Sequence, residues 1–240
     1  MSSSLDRGAP LVLGSVSPRR RELLELLGAP FEVRDAAIDE SVSSEPARAK
    51  ALAIREPLVT TVAADTRIRV DADELGKPSD PPRAVAMLVR LAGRTHEVIT
   101  DVAVIDAAGR ETHFSVRSRV RMRPFSREDA ERYVATGEAL DAAGGYKVQG
   151  QGRALVEYVD GCLANVVGFP LCHVYEALRH AGRAFPERPE SACQRHFAFA
   201  CPVWRRAQGQ GRALSDGRSY PTWSETTGTR VRLSGALRAP

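Results

Sequence analysis

Three short stretches combine charged side chains with chain positions suited to phosphate chemistry. The first is Ser15-Val16-Ser17-Pro18-Arg19-Arg20, between an apolar run and a helical pattern. A helix start presents unpartnered amides and the positive end of a dipole, and both attract phosphate. Arginines in its first turn add forked donors that match phosphate oxygens. The second is Ala63-Ala64-Asp65-Thr66, a carboxylate at the end of a strand-like run. In α/β sheets ligands gather outside the carboxyl ends of strands. A carboxylate there can hold a divalent cation or take a proton from water. Asp39-Glu40 is a second acidic pair of the same kind. The third is Leu75-Gly76-Lys77-Pro78, in a chain with only three lysines (Lys50, Lys77 and Lys147) among 34 basic side chains. A lysine there is a compact charge suited to a phosphate. Each stretch also has a plainer reading: a capped helix with solvated arginines, a strand-ending aspartate, a solvated loop lysine. The G-x-x-x-x-G-K-S/T phosphate loop is absent.

These residues need a scaffold of alternating strands and helices. An apolar run at 10–14 reads as a buried strand. Ser17 and Pro18 then suit an N-cap and first helical position, and Gly28 ends that helix after Leu23, Leu24, Leu26 and Leu27. Strands are expected at 31–34 and 59–64, with a helical stretch at 47–55 between them. Ala84, Met87, Leu88 and Leu91 recur at helical spacing after Pro81-Pro82. Strands 98–105 and 112–122 flank Ala107-Ala108-Gly109. In the second, Arg117, Arg119, Arg121 and Arg123 alternate with apolar residues, so that hairpin has one wet face. A helix at 126–135, a glycine-rich stretch at 144–152, a strand at 154–159 and a helix from 170 to 182 complete the pattern.

At 240 residues and 43% hydrophobic, the chain can bury a real core. No apolar run reaches membrane-spanning length. The N-terminus lacks the pattern of a secretory signal, and Cys162, Cys172, Cys193 and Cys201 do not form paired metal spacing, so a cytoplasmic protein with reduced thiols is expected. Of the net +4, residues 187–240 carry nine arginines against four acids, which leaves the first 186 residues at about −1. That body has no basic bias toward nucleic acid. Residues 1–185 are therefore read as one domain, and 186–240, without sustained periodicity, as a basic, largely disordered tail.

Taken together the motifs are specific. Leu13-Gly14-Ser15-Val16-Ser17-Pro18-Arg19-Arg20-Arg21-Glu22-Leu23-Leu24 resembles the opening signature of the Maf family of nucleoside triphosphate pyrophosphatases. The resemblance continues in order through Asp39-Glu40-Ser41, Ala63–Thr66, Gly76-Lys77-Pro78, residues 91–100 (LAGRTHEVIT), 143–150 (AGGYKVQG) and 165–171 (NVVGFPL). It covers about residues 10–182.

The resemblance implies a mixed α/β fold similar to the inosine triphosphate pyrophosphatases: a twisted sheet with flanking helices, in two lobes around a cleft. It implies a homodimer that cleaves a nucleoside triphosphate to the monophosphate and pyrophosphate with a divalent cation, Mg²⁺ or Mn²⁺. By position, Asp65 resembles the family's proton acceptor. Ser15, Arg19, Lys77 and Gln149 match substrate contacts, and Glu40 with Asp65 matches a metal pair. Arg20, Thr66 and Gln149 resemble the trio of the branch acting on dTTP and UTP. A rival reading is a catalytically weakened nucleotide-binding regulator of cell division and septum formation. It draws on a shortened segment between Glu40 and Asp65 and on Ala142, where many members have lysine. The basic tail offers the one route to nucleic acid. His96 is expected to be a hydrogen-bonded structural residue. Cys193, His196 and Cys201 make a poor zinc set.

Overall fold

The computed structural model describes residues 9–39, 43–198, 201, 203 and 230–233. Its sheet has eight strands in the order β2-β1-β3-β5-β6-β7-β8, with β4 paired to β3. The backbone divides into two compact units. One comprises Met1–Asp65, Thr100–Val116 and Gly168–Trp223; the other comprises Thr66–Ile99, Arg117–Val167 and Ser224–Pro240. This is the mixed α/β architecture expected from the sequence.

In the first unit β1 (Leu11–Leu13) lies between β2 (Glu32–Val33) and β3 (Thr60–Val70), parallel to both. All of β1 is buried, as an apolar strand in a parallel sheet should be. α1 (Pro18–Glu25) connects β1 to β2, and α2 (Pro46–Ala53) connects β2 to β3. Prolines open both helices, at the position where a missing N–H costs nothing. Ala47 and Ala51 of α2 pack with Ala63, Ala103 and Ile105, small residues that let helix and strands approach closely. α6 (Leu171–His180) and α7 (Pro189–Phe197) pack against each other.

In the second unit the later part of β3 turns through Asp71 into β4 (Asp73–Leu75). α3 (Pro81–Leu91) starts on Asp80, whose carboxylate accepts the Arg83 amide. α4 (Arg127–Val134) starts with a reciprocal capping box of Ser126 and Asp129. The start of β5 (Thr95–Ile105) and the end of β6 (Glu111–Met122), neighbours in the sheet, belong to this unit, and β7 (Val156–Asp160) pairs antiparallel with β6. The wet face of β6 is an ion-pair lattice in which Glu97 meets Arg69 at 2.5 Å and Arg117 at 3.3 Å. Asn165, in α5 (Leu163–Val167), is fully buried and donates to the Val98 carbonyl and the Ser118 hydroxyl.

Two expectations change. The strand expected at 59–64 continues to Val70, because Ile68 and Val70 are buried while Arg67 and Arg69 stay partly exposed; this alternation extends a strand past its apolar run. The segment from 186, expected to lack structure, carries α7 and the strand β8 (Arg230–Arg232), which pairs antiparallel with β7. α7 escapes a periodicity search because its buried residues are Pro189, Ala192, Cys193 and Phe197, three of them small or ring-constrained. Residues 199–200, 202, 204–229 and 234–240 lie outside the described residues.

Candidate active site

In the first unit the loop after β1 is held close to its neighbours. The Gly14 amide donates to the Val62 carbonyl at 2.8 Å. A Cβ on Gly14 would sit 2.8 Å from Ile54 Cδ1 and 3.3 Å from Ala63 Cβ, so only glycine fits without displacement. Ser15 is buried, and its Oγ accepts the Ser17 amide at 3.3 Å and Arg20 Nη1 at 3.1 Å. Two accepted bonds leave the Ser15 hydroxyl proton to donate to a ligand oxygen. Arg20 Nε also donates to the Gly168 carbonyl at 3.1 Å. The guanidinium is thereby fixed at both ends. Ser17 occupies the N-cap position, but its side chain makes no capping bond. The helix start therefore stays open to an anion, with Arg19 beside it.

Asp65 lies on β3. The register pairs Leu13 with Val62. Ser15 and Asp65 thus follow the last paired rung on adjacent strands, two and three residues on, or roughly 7–10 Å along them. Asp65 Oδ1 accepts Lys50 Nζ at 3.0 Å, with side-chain exposures of 17% and 9%. Lys50 comes from α2. Glu40, the expected second metal carboxylate, lies outside the described residues.

In the second unit the remaining motifs interlock. The Gly144 amide donates to the Gly76 carbonyl at 3.0 Å, which ties the Gly76-Lys77-Pro78 turn to the glycine-rich stretch. Gly144 has φ +68°, and a Cβ there would fall 2.7 Å from Ile68 Cδ1. His96 Nε2 and the Tyr146 hydroxyl are 2.8 Å apart, both buried, so His96 is the structural residue expected. Burial lowers the His96 pKa to about 3 and raises those of Tyr133 and Tyr146. Tyr133 accepts the Lys147 amide at 2.9 Å. Lys77 and Gln149 are exposed and Thr66 is half-buried. Beside Ala142, the Lys147 ammonium pairs with Asp141 at 2.7 Å.

The family described as Maf-like protein matches residues 10–181. The chain belongs to the Maf family. Curated relatives named dTTP/UTP pyrophosphatase include one from Anaeromyxobacter sp. (strain Fw109-5), 47% identical over 73% of this chain and 91% of its own. One from Myxococcus xanthus is 44% identical over 74% of this chain and 95% of its own. One from Moorella thermoacetica is 44% identical over 70% and 93%.

Within this Maf domain, Lys50 is the site residue that reading the sequence missed. Its signal was present: in α2, Lys50 falls three residues after Ala47 and one before Ala51, both buried, so a charge sits on the apolar stripe. A lysine so placed needs an acidic partner. Among the described residues, no group of three or more His, Cys, Asp or Glu side chains is arranged to hold a metal. No helix among them is long and apolar enough to cross a membrane. Mg²⁺ commonly takes one or two carboxylates plus substrate phosphates, so a single carboxylate such as Asp65 fits the kind of donor such an ion uses.

Proposed function

We propose that this Maf protein hydrolyses dTTP and UTP to the monophosphate and pyrophosphate. The observation that carries the reading is the buried Lys50–Asp65 pair, on the strand next to the one that leads into the open helix start with Arg19 and the fixed Arg20. The names of the relatives agree with it. Water attacks the α-phosphorus, its proton passes to Asp65, and the bond to the bridging oxygen breaks to release pyrophosphate. Lys50 holds the carboxylate in place. Arg19, Arg20 and the Ser15 hydroxyl bind phosphate oxygens, and by the family resemblance Lys77 would supply the cation that offsets charge as it develops. The Gln149 side-chain amide can match the donor–acceptor edge of uracil or thymine, with Thr66 beside Asp65. A divalent cation held by Asp65 and Glu40 together with the triphosphate would neutralise phosphate charge.

The regulator reading requires a damaged centre, whereas the Lys50–Asp65 pair is complete. A reducing cytoplasm is the setting expected for four cysteines with no paired spacing. The homodimer rests on the family resemblance.

The test is a nucleotide panel with Mg²⁺ or Mn²⁺. Monophosphate and pyrophosphate should appear from dTTP and UTP; orthophosphate, or no product, refutes the reading. Asp65→Asn should lower kcat by about 10²–10⁴-fold while a cooperative melt is retained.

A further inference from the structure

We infer that α7, which lies outside the residues 10–181 matched by the Maf family, positions the anion-receiving start of α1, with His196 and Phe197 as its positioning residues. The inference rests on the reading of Ser15, Arg19 and Arg20 as triphosphate contacts.

α1 has only eight residues, too few for helical propensity to fix its place. Its placement must come from packing. Leu23, Leu24 and Leu27 anchor its inner side. Its far end is gripped by the segment that leads into α7. The Glu187 amide donates to the Leu27 carbonyl at 3.3 Å, in the turn just past the end of α1. Pro186 lies so close to Gly28 that a Cβ there would be 3.1 Å from its Cγ, and Gly28 has φ +71°. Farther along, His196 Nε2 stands 3.7 Å from Glu22 Oε1, the side chain two residues beyond Arg20. Successive helical residues turn by about 100°, so Glu22 and Arg20 point to nearly opposite sides of α1. α7 therefore backs the helix on the side away from the Arg20 guanidinium.

The same helix reaches a second element. Ala192, Cys193 and Phe197 are buried, and α7 packs on α6. α6 begins three residues after Gly168, whose carbonyl accepts Arg20 Nε. α7 thus meets α1 through the His196–Glu22 pair and packs on α6, the helix that starts just after the Gly168 carbonyl held by Arg20. If its packing is lost, α1 and α6 can separate, and the arginine that spans them loses its fixed place. The triphosphate meets Arg20 before the reaction as well as during it. Loosening should therefore weaken binding in both states and leave the chemical step little changed.

The test uses the full chain and the non-hydrolysable probe α,β-imido-dTTP, measured by calorimetry, with a thermal melt for each variant. In folded Phe197→Ala the probe should bind about tenfold more weakly, with kcat on dTTP within about twofold of wild type, and Phe197→Leu should restore binding. Unchanged affinity in the folded variant, or a kcat loss as large as the affinity loss, overturns the inference. If Phe197→Ala does not melt cooperatively, His196→Ala, Glu22→Gln and their double variant decide. Weaker probe binding that is non-additive in the double variant supports the inference; wild-type affinity in all three overturns it. Wild-type protein that does not bind the probe removes the triphosphate reading itself, a failure distinct from the others.

Discussion

The Lys50 ammonium and the Asp65 carboxylate meet at 3.0 Å across the packing of α2 on β3, both largely withdrawn from water. A pair so placed costs desolvation on both sides and is retained when each charge serves the other. Lys50→Met should leave Asp65 half-buried without its cation. The expected loss is about 2–3 kcal/mol of stability, together with most of the turnover. Denaturant unfolding and steady-state kinetics measure the two. Lys50→Arg, with its charge intact but its shape altered, should recover stability better than turnover.

Arg20 is held by two acceptors, the Ser15 hydroxyl and the Gly168 carbonyl, each at 3.1 Å. Arg20→Lys keeps the charge but cannot hold both with a planar fork. KM for dTTP should rise about tenfold, equivalent to about 1.4 kcal/mol. Ser15→Ala should act in the same direction and combine non-additively with Arg20→Lys.

Gly144→Ala places a methyl group into Ile68 at a left-handed position. Strain and displacement together should cost about 1–3 kcal/mol. The bond from Gly144 to Gly76 shifts with it, so the Lys77 turn moves and KM rises as well. Melting temperature and KM, measured together, give the outcome.

Burial lowers the pKa of His96 to about 3 and that of His173 to about 4, from a usual 6.5. As pH falls below about 6.5, the unfolded chain takes up protons that the folded chain refuses. Stability from these groups is therefore complete above that pH and is lost progressively down to the folded values. At pH 5 each histidine should cost about 2 kcal/mol relative to pH 7.5. His96→Gln, which can still bond Tyr146, should remove about half of this acid sensitivity. Melts at both pH values measure the difference.

Much of the scaffold was legible because its signals are local. Pro18 and Pro81 open helices as expected, and the capping box of Ser126 and Asp129 sits at the start of the helix expected at 126–135. Ser15, Arg20 and Asp65 stood out as candidates for phosphate and proton-transfer chemistry from their positions between strand and helix, a reading that the nucleotide panel tests. Lys50 was not, because its meaning depends on α2 packing against β3, a contact between residues 15 apart. Ser17 stands at the N-cap position that the sequence indicates, but its side chain makes no capping bond, and its own amide donates to Ser15 Oγ. α7 and β8 were missed because one buries mostly small residues and the other spans only Arg230–Arg232.

β8 has a consequence for solubility. It covers the open ladder of β7, and it is anchored by the Leu233 amide on Glu157 and by Arg123 on the Leu233 carbonyl. Without it, β7 would offer unpaired backbone groups to the next molecule, the usual template for edge-to-edge aggregation. Strands of two and three residues, β2 and β8, instead terminate the sheet, and both are too short to recruit another chain. A chain cut before Arg230 would therefore be expected to self-associate with the Lys50–Asp65 pair and the Arg20 hydrogen bonds untouched.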